Sequence, residues 1–129
     1  MAIFKEDCWI IYGHKWGKNL YGVLRYESEG EPSSVNFDWE KVSKNAKNII
    51  GFCHTHPGGY LSPSPIDDIT MAGWVKALGK PLICGIKVRN EIRIYVYERS
   101  RESVKGYRKV VMRQLSFKKI GHFLKIEME

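Results

Sequence analysis

Apolar residues along the chain form short runs whose length and composition predict strands. The runs are rich in Ile, Val, Tyr and Trp, which favour extended structure, and they cover residues 4–13, 20–26, 48–53, 81–88 and 91–98. Polar turn residues separate the first two runs and the last two, so each of these pairs is predicted to form a hairpin. Residues 48–53 (NIIGFC) are continuously apolar, which is typical of a strand buried on both faces.

Other segments carry the spacing or the end signals of helices. Residues 39–46 predict a short helix, and residues 64–79 begin with Ser-Pro-Ile-Asp, a strong helix start, and end at glycine. Residues 101–115 have helical and basic character, and residues 122–128 suit a short strand or helix. Hairpins interleaved with helices predict an α/β or α+β fold, with α+β sandwich packing, in a single domain that spans residues 1–129.

The composition is that of a small protein able to bury a core without disulfides. Its three cysteines lie singly within apolar runs, at Cys8, Cys53 and Cys84, so buried free thiols are expected; a Cys8–Cys53 bridge or a redox role is the alternative. The apolar run at residues 9–12 is too short for a signal peptide or a membrane span. The expectation is a soluble cytoplasmic protein with no membrane segment.

The net charge of +7 is concentrated in the last third of the chain. Residues 85–129 contain twelve basic and five acidic side chains, so twelve minus five accounts for the whole excess. Such a surface attracts acidic partners and, at low salt, nucleic acid. A solvated basic surface explains the same charge, and no recognised nucleic-acid module accompanies it. A nucleic-acid partner is therefore compatible with the sequence but is not favoured.

The segment with the most chemical information is residues 51–68, GFCHTHPGGYLSPSPIDD. His54 and His56 are two apart, so on a strand they project from the same face and can reach one metal ion at about 2 Å. Asp67, in the first turn of the following helix, can return a carboxylate to the same place. Two histidines and one carboxylate leave a fourth tetrahedral position for water, which is typical of catalytic zinc. The Ser64 hydroxyl can then stabilise an oxyanion.

Each of these residues also has an ordinary structural interpretation. A single histidine on a strand is more often a core or surface residue, Ser64 is a good helix N-cap, and Asp67 is its expected capping-box partner. Asp68 fits an ordinary acid in the first helical turn. The combination of a histidine pair, a glycine turn, and Ser and Asp three apart favours the metal site over coincidence.

This segment resembles the JAMM motif, H-x-H-x7-S-x-x-D, of the MPN+ zinc metalloproteases, and the spacing matches without a gap. The resemblance, closest to the prokaryotic JAB-domain type, implies an MPN/JAB-like mixed β-sheet flanked by helices and a zinc isopeptidase. It also implies hydrolysis of a peptide or isopeptide bond, such as one at the C-terminus of a ubiquitin-like protein, whose extended tail could add as a strand beside the site. His14 and His122 lie outside the motif and have no expected role.

The same resemblance implies a glutamate general base from an early strand. The family segment E-x-x-G-x-x-x-G is matched by residues 6–13, EDCWIIYG, with Trp9 where the family often has glycine. Glu6 is accordingly expected to take a proton from the attacking water and pass it to the leaving amine. The alternatives are the acids of the following loop, Glu27, Glu29 and Glu31.

Two other functions remain open from the sequence. Proteins of the RadC-like type have a similar H-x-H-P…P-S-x-x-D motif and are associated with DNA, which the basic last third would suit. An inactive MPN scaffold that mediates assembly is the third interpretation, although such a scaffold normally lacks metal ligands. The absence of paired cysteines excludes a large cysteine-zinc structural site, and the missing P-C-x-x-C half disfavours a zinc deaminase.

Overall fold

The computed structural model describes residues 6–30, 39–56 and 58–128. Within these ranges, two helices and a single 3-10 turn lie among the strands: α1 (Trp39–Lys44), α2 (Pro65–Leu78) and the turn Ala46–Asn48. The strands are β1 (Glu6–Trp16), β2 (Asn19–Gly30), β3 (Ile49–Thr55), β4 (Leu82–Val88), β5 (Glu91–Arg99), β6 (Val110–Ile120) and β7 (Phe123–Glu127).

The strands form a closed barrel in the order β1-β2-β7-β6-β5-β4-β3, with β3 returning to β1. Every pairing is antiparallel except β3 with β4, which are parallel and are joined through α2, as a parallel pair requires a crossover connection. Each of these seven strands has a neighbour on both sides. β3 is thus paired along most of its length with β1 and β4, and the addition of a substrate tail as a strand beside the site stays a prediction.

The predicted mixed β-sheet flanked by helices, the MPN/JAB-like α/β or α+β fold, is also wrong, because the sheet closes on itself. The physical reason lies in β6 and β7. β6 pairs with β5 on one side and β7 on the other, and β7 pairs with β2, so these two strands join what would otherwise be the two edges of an open sheet.

Apolar side chains pack in two layers, one on each face of the barrel wall. The interior layer is formed by residues of six strands: Ile11, Ile50, Cys53, Ile83, Ile94, Val96, Leu115, Leu124 and Ile126. The outer layer fills the space between the helices and the wall, where Val42 of α1 and Met71 and Val75 of α2 cover Phe52 and Tyr97. Alternation along β4 and β5 supplies both layers, since successive side chains point to opposite faces; β3 also contributes to both layers, with a register shift against β1 near Ile50.

Most of the predicted elements are confirmed within the described residues, and one is wrong. The five predicted strands and the helices at 39–46 and 64–79 are present, and residues 122–128 form β7 rather than a helix. The helix predicted over residues 101–115 is absent: a turn bridged by Val104 and Tyr107 lies there, followed by β6. Gly106 and Lys105 in this turn adopt positive φ, which is incompatible with an α-helix.

The cysteines are buried free thiols, as predicted, so the Cys8–Cys53 bridge does not form. Burial raises the pKa of the Cys8 and Cys53 thiols to about 12, which leaves them un-ionised at neutral pH. In the described ranges, neither helix has both the length and the apolar composition needed to cross a lipid bilayer.

Candidate metal centre

Strand pairing brings an early acid to the predicted histidines. His54 lies near the C-terminal end of β3, and its partner in β1 is Cys8. Glu6, two residues before Cys8, therefore projects from the same face of the barrel wall as Cys8 and His54. This is the outer face, which α2 covers. The ligand atoms of Glu6, His54 and His56 all lie within 4.8 Å of one another.

The two imidazoles and the carboxylate of Asp67 converge on one point. His54 Nε2 and His56 Nε2 are 3.0 Å apart, and each is 2.9 Å from an oxygen of Asp67. His54 is buried, with 7% of its surface exposed. Asp67 comes from the first turn of α2, so the strand and the helix meet at the site as the sequence predicts.

The hydrogen bonds of His56 show which of its nitrogens has a free lone pair. His56 Nδ1 is 2.8 Å from the carbonyl oxygen of Tyr60, which can only accept, so Nδ1 is the donor. In the neutral ring, Nε2 then presents a lone pair to His54 and to Asp67. A histidine that donates its other N–H to a backbone carbonyl is the usual arrangement of a metal ligand, because the hydrogen bond fixes the tautomer and the ring orientation.

This donor set fits a zinc ion. Nitrogen and carboxylate donors about 2 Å from a tetrahedral zinc are about 3.3 Å from one another, and the observed separations are 2.9 to 3.0 Å. Lone pairs that face each other at such distances repel unless protons or a metal ion lie between them, and one ion satisfies all three contacts. Asp67 is also oriented by the backbone N–H of Ser64, which donates to its Oδ2 at 2.8 Å.

The electrostatic surroundings keep Asp67 ionised. Burial opposes its ionisation, but hydrogen bonds from His54 and His56, which their Nε2 atoms donate when protonated, lower the pKa of this carboxyl well below its usual range. The hydrogen bond to Asp67 in turn raises the pKa of His56, against the opposing effect of burial. Metal binding at His56 would therefore compete with a proton.

Glu6 is buried beside the histidines, with 5% of its surface exposed. Burial raises the pKa of Glu6. Positive charge on His54 lowers this pKa, and the negative charge of Asp67 raises it. A raised pKa makes a carboxylate a stronger base near neutral pH. Among the alternatives, Glu27 is paired with Lys41 at 2.6 Å, Glu29 lies in β2 opposite Asp7, and Glu31 lies outside the described residues.

Ser64 forms the predicted capping box with Asp67. Its Oγ accepts the backbone N–H of Asp67 at 3.1 Å, while its own N–H donates to the Asp67 carboxylate. The N-cap interpretation of Ser64 is thus confirmed. The hydroxyl is used here as an acceptor, so its own proton is still available to an oxyanion. That second role stays a prediction.

Two buried tyrosines of β5 hold the segment that contains Ser64 and Asp67, and the sequence motif does not include them. The Tyr95 hydroxyl donates to the carbonyl oxygen of Leu61 at 2.5 Å, and the Tyr97 hydroxyl donates to Asp68 Oδ1. Asp68 is therefore more than an ordinary first-turn acid. The alternation in EIRIYVYE indicates that both tyrosines share one face of the strand, but not that α2 covers this face, which the structure shows.

A cleft of about 850 Å³ opens beside His56. Its walls are the end of β3, the loop at Gly58 and Gly59, and the β4–β5 turn at Arg89. On the outer side of the site, Tyr60 is 72% exposed and Ile69 is 75% exposed. His14 and His122 are exposed at β1 and the β6–β7 turn and take no part in the site.

No protein-family model matches the chain, and no curated protein matches it. The fold and the site describe the protein instead. It is a closed barrel whose outer wall carries the carboxylate of Glu6 beside two histidines, under the start of α2.

Proposed function

We propose that the chain is a zinc-dependent hydrolase that cleaves a peptide or isopeptide bond. The observation that carries this proposal is the convergence of His54 Nε2, His56 Nε2 and the Asp67 carboxylate within 3.0 Å, with buried Glu6 beside them. We assign His54, His56 and Asp67 as the metal ligands. Three protein ligands leave a position open, as in catalytic rather than structural zinc sites. The resemblance to the JAMM motif supports the same reaction.

A zinc ion at this site would supply a Lewis acid that lowers the pKa of water and polarises a carbonyl group. Glu6 acts as the general base: its carboxylate accepts a proton from the attacking water and later gives it to the leaving nitrogen. The Ser64 hydroxyl donates a hydrogen bond to the oxyanion that forms on the substrate carbonyl. Tyr95 and Tyr97 act indirectly, because they hold Leu61 and Asp68 on either side of Ser64.

The proposed substrate is the extended C-terminus of a ubiquitin-like protein or a comparable peptide. The cleft beside His56 supports this, since it is open and its Gly58–Gly59 wall leaves space for a peptide backbone. The exposed side chains of Tyr60, Ile66 and Ile69 offer an apolar surface to a folded substrate domain. We also propose a cytoplasmic location, which the three free thiols support.

The test is to purify the protein without added metal and to measure zinc per chain. We expect about one zinc per chain, since the site has one set of three donors, and loss of that zinc in the His54→Ala/His56→Ala variant. His14→Ala/His122→Ala is the matched control, because it removes two histidines away from the site. A panel of ubiquitin-like fusions then tests for zinc-dependent cleavage. A chain that takes up no zinc even after reconstitution would refute the proposal.

A further inference from the structure

A second cleft, of about 710 Å³, lies at the opposite end of α2 from the metal ligands. Asp67 is in the first turn of this helix, whereas Gly79 and Lys80, just beyond its last turn, line the second cleft. The helix has 14 residues, so the two sites are separated by about 20 Å along its axis. The other walls are the end of β5 at Arg99 and the start of β6 at Arg113.

The side chains that line this cleft are mainly cationic. Among the described lining residues, five are basic and Glu98 is the one acid; the basic residues are Lys80, Arg99, Arg101, Arg108 and Arg113. Glu98 is paired with Arg113 at 3.2 Å, so five cations minus one anion leave a local charge of +4.

Three of these cations donate to carbonyl groups, which fix a cation without neutralising it, and one of them is Arg113, whose Nη2 donates to the carbonyl oxygen of Met128 at 2.7 Å. Arg108 Nε donates to the carbonyl oxygen of Ser100 at 2.6 Å, and Lys80 Nζ donates to that of Ala46 at 2.5 Å. Burial also lowers the pKa of Lys80, because the charged ammonium group loses hydration. A bound anion would offset that loss. Fixed cations of this kind lose little side-chain entropy when an anion binds.

We propose that this cleft binds the phosphate backbone of a single-stranded nucleic acid. Four of the five cations are arginines, whose planar donor fork matches phosphate oxygens. The basic surface continues from the cleft into the turn that contains Lys105 and Lys109, which provides for more than one phosphate. Tyr107 in the same turn is 57% exposed. Lys76 Nζ lies over its ring at 5.3 Å from the centroid, so an unpaired base would stack on the other face of the ring.

An acidic peptide is the competing ligand, since arginine also pairs with carboxylates. A nucleic acid strand is favoured by Tyr107, because a polyglutamate chain has no ring to stack on it. The proposal is independent of the metal centre, which lies at the other end of the helix.

The test measures binding of a fluorescent single-stranded DNA oligonucleotide by the whole protein as a function of salt. Arg99→Gln/Arg101→Gln removes two exposed charges from the cleft. Because each phosphate contact on a single strand contributes a slope of about 0.7, this variant should lower the salt slope by about 1.4 and weaken binding about 25-fold at about 0.1 M salt. Lys118→Gln/Lys119→Gln, at the far end of β6, is the control with the same loss of charge.

Three outcomes would overturn the proposal. The first is equal loss of affinity in the cleft and control variants, which would indicate attraction by net charge alone. The second is an oligoglutamate of matched charge that binds as tightly as the oligonucleotide. The third is loss of oligonucleotide binding in the His54→Ala/His56→Ala variant, which would place the phosphates at the metal centre. Circular dichroism confirms that each variant is folded.

Discussion

His56 uses both of its ring nitrogens, and each faces a different kind of partner. Nδ1 donates to the carbonyl oxygen of Tyr60, and Nε2 faces His54 and Asp67. Asp67 likewise has two structural roles, since it completes the capping box of α2 and contacts both imidazoles. The residues that hold the helix start thus also hold the proposed ligands, so disruption of the cap should displace the carboxylate.

Replacement of Glu6 tests the proposed general base. Glu6→Gln keeps the size of the side chain but removes its ability to accept a proton, so we expect cleavage to fall by about 10²- to 10⁴-fold. Zinc content should stay unchanged, because Asp67 rather than Glu6 is the proposed ligand. Cleavage of a fusion substrate and zinc per chain are measured on the same samples.

Glu27→Gln is the matched control for this variant. Glu27 is a glutamate of β2, the strand that pairs with β1. Its carboxylate is paired with Lys41, so cleavage should be retained when it is changed. Full cleavage by Glu6→Gln, or loss of zinc with it, would remove Glu6 from the role of base.

β5 supports the site indirectly, through the two tyrosines that contact Leu61 and Asp68. The proposed ligands could be found from sequence, because His54, His56 and Asp67 lie close together along the chain in a strand–loop–helix segment. Tyr97 could not, because its contact with Asp68 depends on β5 pairing with β4 beneath α2. Local patterns predict elements but do not determine which strands become neighbours.

Tyr97→Phe tests this positioning role. The change removes one hydroxyl from a side chain that is 2% exposed and leaves Asp68 without its donor. Hydrogen bonds to charged groups contribute about 1.5–3 kcal/mol, so the free energy of unfolding should fall by about that amount in urea titrations. Zinc affinity should fall as well, because the first turn of α2 also contains Asp67.

Tyr107→Phe supplies the comparison for that experiment. Its hydroxyl accepts from Lys76 at 2.9 Å on an exposed surface, where such a contact adds little to stability. The urea midpoint should not move. Equal effects of the two changes would mean that the buried hydrogen bond of Tyr97 has no special role.

The last third of the chain shows why one element was predicted wrongly. Residues 101–115 combine basic and apolar side chains at spacings that a helix accepts, yet Val110 and Val111 start a strand. β-Branched residues favour extended structure, and β6 gains ladder hydrogen bonds from β5 and β7 together. Tertiary pairing therefore decided the structure of this segment, and with it the closure of the barrel.

Closure of the barrel as a whole depends on the shortest strand, β7. Ile126 of this strand is fully buried in the barrel interior, opposite Leu20 of β2 and Phe117 of β6. An isoleucine that forms part of a central core is expected to cost about 2–5 kcal/mol when it is replaced by alanine. At a loosely attached sheet edge the same change would cost much less.

Ile126→Ala should accordingly lower the free energy of unfolding by about 2–5 kcal/mol. Ile120→Ala, at a position that is 55% exposed in β6, should change it by less than about 0.5 kcal/mol. Both are measured by urea denaturation with a chelator present, so that bound metal does not add to the stability of either protein. Similar values for the two variants would contradict a closed barrel.

Because β2 pairs with β7, one edge of β2 stays unpaired during translation until β7 has been synthesised. Asn19 pairs with Glu127 and Gly22 with Leu124, so the ribosome must add about a hundred residues after β2, which takes about 5 to 20 s. Throughout that interval β2 has one unpaired edge, which can template the strand of another nascent chain. Slower translation through β6 should therefore lower the yield of folded protein in cells without changing the stability of the molecules that complete the barrel.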